Sequence, residues 1–246
     1  MPTHDVLVIG GGTGNNVAAA AAEAGLDTGL VEKGPLGGTC LNRGCNPSKM
    51  LIQAATAVET VREAGRFHVD ATLHDVDLAA VVDEMADTLG GIAEGMAADY
   101  GDREDLTLYR DEAVFVDERT VSVGGETVSG DSVVVAAGSR PLVPPIDGLD
   151  TVDYLTSRDA LSLREPPDTL AVLGGGYIAC ELGYAFDAFG TDVTILEMLD
   201  TLVPREDGAV AAAYTDIARE RHEVYTGHRV TAVERAGAGV RVHAEP

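Results

Sequence analysis

The segment DVLVIGGGTGNNVAAAAAEAGLDTGLVEK, from Asp5 to Lys33, returns in outline 164 residues later as TLAVLGGGYIACELGYAFDAFGTDVTILEM, from Thr169 to Met198. Each copy has a short apolar run, a turn of three glycines, an Ala-rich or apolar stretch of helical spacing that closes near a glycine, and a β-rich run ending on an acid. A strand, a tight turn, a helix and a second strand in that order make a βαβ unit, whose two strands lie parallel. The pattern predicts an α/β chain with two Rossmann-like dinucleotide-binding domains, each built in three layers.

Between the copies, Pro47 to Gly65 and Val76 to Tyr100 have helical spacing, with Pro47 near the first helical position. Four β-rich runs follow: LTLYR from Leu106, AVFV from Ala113, RTVSV from Arg119 and SVVVAAG from Ser132. The Pro/Gly-rich connection PLVPPIDGLD, Pro141 to Asp150, is the natural boundary, dividing the chain into domains 1–148 and 149–246. Beyond the second copy, Gly208 to Arg221 reads as a helix, and EVYTG, HRVTAVE and GVRVHAE read as strands. The pattern is still running at Pro246, so the second domain is expected to be incomplete.

The glycine turns carry the first chemistry. In the first copy Gly10 permits a tight turn and Gly12 a close backbone approach, with Gly14 opening the helix and Asn15 standing where a third Gly or Ala is usual. The N–H groups at the start of the helix suit an anion such as a pyrophosphate, and Glu32, 22 residues after Gly10, is placed to accept from a ribose diol. The second copy has Gly174, Gly176, Ala179 and then Glu197, 23 residues after Gly174. Two fingerprints ask for two dinucleotides, and the economical pair is FAD and a nicotinamide cofactor. An acid at Glu197 favours NAD; Arg205, shortly downstream, leaves NADP possible.

Cys40 and Cys45 lie in GGTCLNRGCNPSK, Gly37 to Lys49, with Cys180 the third cysteine of the chain. No His or Cys cluster of zinc spacing accompanies them, and a permanent disulfide over so small a loop adds little stability. A redox role is the reading that remains, because Cys45 directly precedes a helix start whose dipole favours a thiolate.

That stretch closely resembles the active-site signature of the pyridine nucleotide-disulfide oxidoreductases, flavoproteins that include dihydrolipoamide dehydrogenase and the glutathione, mycothione and mercuric reductases. Both glycine turns, VVVAAGSRP from Val133 to Pro141, and the order of segments match as well, although family members run to roughly twice this length. The resemblance implies that Cys40 is the interchange cysteine facing substrate sulfur and Cys45 the cysteine facing the flavin. It implies that Lys49, near flavin N5, pairs with Glu181, that Gly38 and Thr39 hold FAD phosphates, and that Ala113 contacts adenine through its main chain. Gly138 would close the first flavin segment, and Tyr177 would cover the flavin until the nicotinamide displaces it. Substrates would be small thiols or disulfides, or a lipoyl domain. The full-length enzyme would be a homodimer with central and dimerisation domains, and with an acid–base His-Glu pair, all lying beyond Pro246. The best match is to dihydrolipoamide dehydrogenase; a reductase of low-molecular-weight disulfides, a mercuric ion reductase, and a truncated nucleotide-binding module without catalysis are the alternatives. Arg43 and Asn46 replace residues that are usually apolar within this signature, and Arg43 would favour a charged sulfur. Cys180 and the six histidines carry no role in the family pattern and read as packing or surface residues.

The formal net charge is −24, and the 17 basic residues comprise 15 Arg with only Lys33 and Lys49. Such a balance speaks against nucleic acid and anionic membranes as partners. Acids spread along amphipathic segments read as a solvated skin of the kind suited to a high-salt cytoplasm, the alternative being an ordinary acidic protein. Without an apolar run near 18 residues or a charged-then-apolar leader, the expected address is cytoplasmic.

Overall fold

Strand β1 (Thr3–Ile9) sends the wholly buried Leu7 and Val8 to opposite faces of its sheet. A strand buried on both faces needs cover on both, and that need organises the unit around it. The structure, a computed structural model, describes residues 1–246, which form two compact units: Met1–Pro47 with Glu84–Arg140, and Ser48–Asp83 with Pro141–Pro246.

In the first unit, β1 leads through the glycine turn to helix α1 (Gly14–Glu23) and strand β2 (Thr28–Val31). The short helix α2 (Gly38–Arg43) follows, then the start of α3 (Cys45–Arg62). Most of helix α4 (Leu78–Gly101) belongs here too, followed by strands β3 (Leu106–Tyr109), β4 (Ala113–Asp117), β5 (Thr120–Val123) and β6 (Glu126–Val135). The sheet runs β3-β2-β1-β6-β5-β4. One face packs Val8, Leu30 and Leu106 under Ala18 and Ala22 of α1 and Met96 and Tyr100 of α4. Alanines spaced one turn apart let α1 lie close on the strands. The other face packs Leu7 and Val31 under Val121, Val123 and Val128. Helices, the parallel part of the sheet, and its antiparallel part folded over the other face are the three layers expected.

Strand β6 starts six residues before Ser132, earlier than its apolar run suggests, because its first half pairs antiparallel with β5. Its second half pairs parallel with β1, so one strand serves two kinds of neighbour.

The second unit contains the short helix α5 (Ser157–Ala160), β7 (Thr169–Leu173), α6 (Tyr177–Ala188), β8 (Asp192–Leu196), α7 (Gly208–Arg219) and β9 (Glu223–Tyr225). The hairpin of β10 (Arg229–Ala236) and β11 (Gly239–Glu245) completes it. Strands β7, β8 and β9 form a parallel sheet in that order, so β7 has a neighbour on one edge only, whereas β1 has β2 and β6. No helix of the structure is long and apolar enough to cross a membrane.

The seam between the units falls at Arg140/Pro141, at the start of the Pro-rich connection, and Ser48–Asp83 groups with the second unit. The reason is a set of ion pairs. Arg221 donates to Asp187 of α6 at 2.7 Å and pairs with Glu59 of α3 at 3.2 Å, its guanidinium lying 4.8 Å from the centre of the Tyr184 ring. The Arg221 contacts fix α3 against α6, and Arg164 forks onto both carboxylate oxygens of Asp83 in α4.

His222, next to Arg221, is buried, with Nδ1 3.7 Å from Asp187 Oδ1 and without a hydrogen-bond partner. Burial pushes its pKa below the ordinary 6.5, and the opposing pull of Asp187 does not overcome this. A histidine that folds neutral contributes its stability above 6.5 and loses it as the pH falls toward the depressed folded value. His222→Gln should therefore flatten the acid-side decline: the loss in urea midpoint between about pH 7 and pH 5 becomes smaller than in the parent protein. An unchanged decline would remove His222 as its source.

Candidate functional site

Both glycine turns have the same construction, and a glutamate holds each one. Gly10 and Gly174 take φ of +112° and +108°, a region open to glycine, and each N–H donates to the end of the following strand, Val31 O at 2.8 Å and Leu196 O at 2.7 Å. The Glu32 carboxylate accepts from Gly11 N–H and Gly34 N–H, each at 2.7 Å. In the second unit the Glu197 carboxylate accepts from Gly175 N–H at 2.6 Å and Leu199 N–H at 2.8 Å. Each acid thus spends one lone pair per oxygen on backbone donors before any ribose arrives.

The middle glycine of each turn, which the spacing rule passes over, is sterically crowded as well. A Cβ on Gly11 would lie 2.6 Å from Leu36 Cδ2 and 3.0 Å from Glu32 Cβ; on Gly175 it would lie 2.5 Å from Leu202 Cδ2 and 3.0 Å from Glu197 Cβ. Leu36 and Leu202 are wholly buried and cap the turns. Three consecutive glycines in both copies were the signal for them.

In the first unit the chain also brings Gly38 onto Gly12: a Cβ on Gly38, at φ +60°, would stand 2.4 Å from Gly12 Cα. Thr39 follows, exposed. Ala136 O lies where a Cβ of Gly10 would be, so the segment leading to Gly138, itself at φ +72°, runs beside the same turn. Ala113 begins β4, and the neighbouring Glu112 meets Lys33 at 2.5 Å. No side chain caps α1 or α6, which leaves room for an outside acceptor at their N-termini, and the buried Asn15 Oδ1 has no hydrogen-bond partner. Glycine cradles that a Cβ would fill and an uncapped helix start fit a dinucleotide at the first turn. At the second turn a Cβ on Gly174 or Gly176 meets open space.

Cys40 lies in α2 and Cys45 opens α3, both exposed. Gly44 makes the pivot between the helices, since a Cβ there would be 2.9 Å from Thr39 O. Asn42 Nδ2 donates to Leu36 O and Gly38 O, each at 2.9 Å, and anchors α2 to the loop before it. The Cys40 thiol is held above its ordinary value, first by a hydrogen bond with the Cys45 side chain and then by desolvation, while the N–H groups of Cys45 and Asn46 pull the other way. Arg43 Nη2 lies 3.5 Å from the Cβ position of Gly34. It is not among the groups that set the Cys40 thiol. Helix α3 starts at Cys45 itself, so Pro47 occupies its third position.

In the second unit Lys49 Nζ donates to Glu181 Oε1 at 2.6 Å, across 132 residues of sequence, with side chains 60% and 27% exposed. An ion pair so wet contributes under about 1 kcal/mol to folding, so its interest is chemical. Tyr177 is the first residue of α6 and is 68% exposed. Cys180 is buried against Gly175 O at 3.8 Å, where burial raises its thiol.

A family model described as pyridine nucleotide-disulphide oxidoreductase matches residues 4–245, and the chain belongs to that family. It is 40% identical over 227 residues to dihydrolipoyl dehydrogenase 2 of Haloarcula marismortui, covering 88% of this chain and 47% of that one. It is 34% identical over 244 residues to mercuric reductase of Staphylococcus aureus, covering 98% of this chain and 45% of that one. Among solved structures, the Cu(II) complex of the HOCl-induced flavoprotein disulfide reductase RclA from Escherichia coli matches with a TM-score of 0.86 at 27% identity, over 100% of this chain and 54% of the other. The chain spans about half the length of the curated relatives it matches.

The glutamate clamp has a direct test without nucleotide. Glu→Gln turns an NH2 toward one of the two N–H donors, so Glu197→Gln should destabilise its unit by about 1–3 kcal/mol in urea titration, and Glu32→Gln, at the more exposed position, by less. A cost at Glu197 below about 0.5 kcal/mol would show that the turn holds itself.

Proposed function

We propose that this chain is the nucleotide- and dithiol-bearing part of an FAD-dependent dithiol/disulfide oxidoreductase. In this reading electrons pass between NAD(H), FAD, the Cys40/Cys45 pair and a thiol substrate, with a dihydrolipoyl group as the substrate of choice. The observation that carries it is the hydrogen-bonded meeting of Cys40 and Cys45, two exposed cysteines on consecutive helices that follow a clamped glycine turn.

FAD would rest on the turn of Gly10, Gly12 and Gly14, with Glu32, Gly38, Thr39, Ala113 and Gly138 around it and Lys49, paired with Glu181, toward its reactive end. NAD would take Gly174, Gly176, Tyr177 and Glu197; the remaining lone pairs of the glutamates would accept from ribose hydroxyls. Bound FAD would supply a two-electron relay between hydride donor and sulfur pair. The sulfur chemistry is the chain's own. A dihydrolipoyl thiolate attacks Cys40 of the oxidised pair, Cys45 leaves as thiolate, and the second substrate thiol closes the lipoyl disulfide by expelling Cys40. Two electrons then sit on the pair and leave to NAD⁺ as hydride, with one proton released.

A second reading runs the same exchange backwards, from NADH or NADPH to a low-molecular-weight disulfide. The exposed Tyr177 at the start of α6 favours it, as a ring that a nicotinamide could displace. A cytoplasmic, homodimeric holoenzyme is part of both readings, and the acidic surface suits a high-salt interior.

With the pair oxidised, anaerobic NADH plus FAD should restore two alkylatable thiols, counted by mass, whereas either alone should not; Cys45→Ser should abolish the gain. Thiols restored by dithiothreitol but never by NADH with FAD would overturn the reading and leave a nucleotide-binding module. Faster recovery with NADPH would overturn the choice of NAD. Comparing dihydrolipoamide with small disulfides as partners then decides between the two directions.

A further inference from the structure

Asn46, the second residue of α3, has an exposed side chain whose Oδ1 accepts from Cys40 Sγ at 3.6 Å. The next two residues, Pro47 and Ser48, are buried, so this turn of helix rests on them and leaves Asn46 turned toward the sulfur. A reduced pair of neighbouring thiols ionises as a unit, and the partners of each sulfur decide which keeps the remaining proton. Around Cys40 the contest is visible. The N–H groups of Cys45 and Asn46 favour a charged sulfur, and the Cys45 side chain favours the neutral one. An amide oxygen can only accept, so the Asn46 side chain joins the second group. From its own helix the one charged side chain is Arg43, whose Nη2 lies 3.5 Å from the Cβ position of Gly34.

We propose that Asn46 is a positioning residue that keeps the proton of the reduced pair on the Cys40 sulfur. The inference rests on the dithiol reading above and deepens it. With its S–H directed at Asn46, the exposed substrate-side sulfur stays a poor nucleophile toward stray electrophiles until a base removes the proton during reaction. Asn46 thereby guards an exposed cysteine.

The test uses the protein without nucleotide or substrate, in a Cys45→Ala background that removes the competing partner. The rate of iodoacetamide alkylation at Cys40 is followed against pH by mass spectrometry. Asn46→Val should lower the midpoint by about half a pH unit, a roughly threefold faster reaction near neutrality, because the lost bond favoured the neutral form. Asn46→Asp, which keeps an acceptor in place, should return the midpoint to the parent value or above. An unchanged midpoint in Asn46→Val overturns the proposal, and so does a raised one, which would mean that the amide N–H donates to the thiolate. Asn46→Ala, which removes the carbonyl and suits a helix better than Val, provides the same reading should the Val substitution disturb the fold. Since no nucleotide is present, this outcome is independent of thiol recovery by NADH with FAD: either result can fail while the other stands.

Discussion

A carboxylate reaching back from the end of the second strand to the N–H of the middle glycine is the bond on which each unit turns. It is made twice with nearly the same atoms, Glu32 to Gly11 and Glu197 to Gly175, and each time a buried leucine seals the turn from the other side. The glycine, the acid and the leucine are mutually required. A side chain on the glycine would collide with both partners, and without the acid two backbone donors lose an ionised acceptor. The path from strand to helix is therefore set by packing and hydrogen bonding within the protein, and the open helix N-terminus is a consequence of it. A ligand anion would find the site already made.

The sulfur pair depends on this turn through a short chain of contacts. Gly37 N–H donates to Gly11 O, Gly38 packs on Gly12, Asn42 ties α2 to the carbonyls before it, and Gly44 lets the backbone fold back so that α3 begins at Cys45. The second unit has its own hub. Arg221 between Asp187 and Glu59 holds α3 to α6, and the same two helices carry Lys49 and Glu181. Residues far apart in sequence meet because one guanidinium has two carboxylates to satisfy.

Much of this was legible beforehand, for physical reasons. Apolar runs of strand length, helical spacing and glycine turns are local, so both βαβ units and the three layers could be read directly. The pairing of Lys49 with Glu181 became legible only through resemblance to a known signature, because nothing local relates residues 132 positions apart. The grouping of Ser48–Asp83 with the second unit was hidden for the same reason: it rests on Arg221 and Arg164, whose partners no periodicity reveals. The double pairing of β6 was missed because its first half, Glu126–Ser129, is only partly apolar and is ordered by β5. The glutamates were read as ribose acceptors, while their bonds within the protein go to the turns.

The chain's two lysines follow from the same economy of cations. Lys33 sits on Glu112 and Lys49 on Glu181, one pair in each unit, and every other positive side chain apart from histidine is an arginine. Amine-selective chemistry on these 246 residues thus has an unusually short menu of side chains: two ammonium groups, both salt-bridged. An acylating probe would act less as a general surface stain than as a pair of addressed reporters, one for each unit.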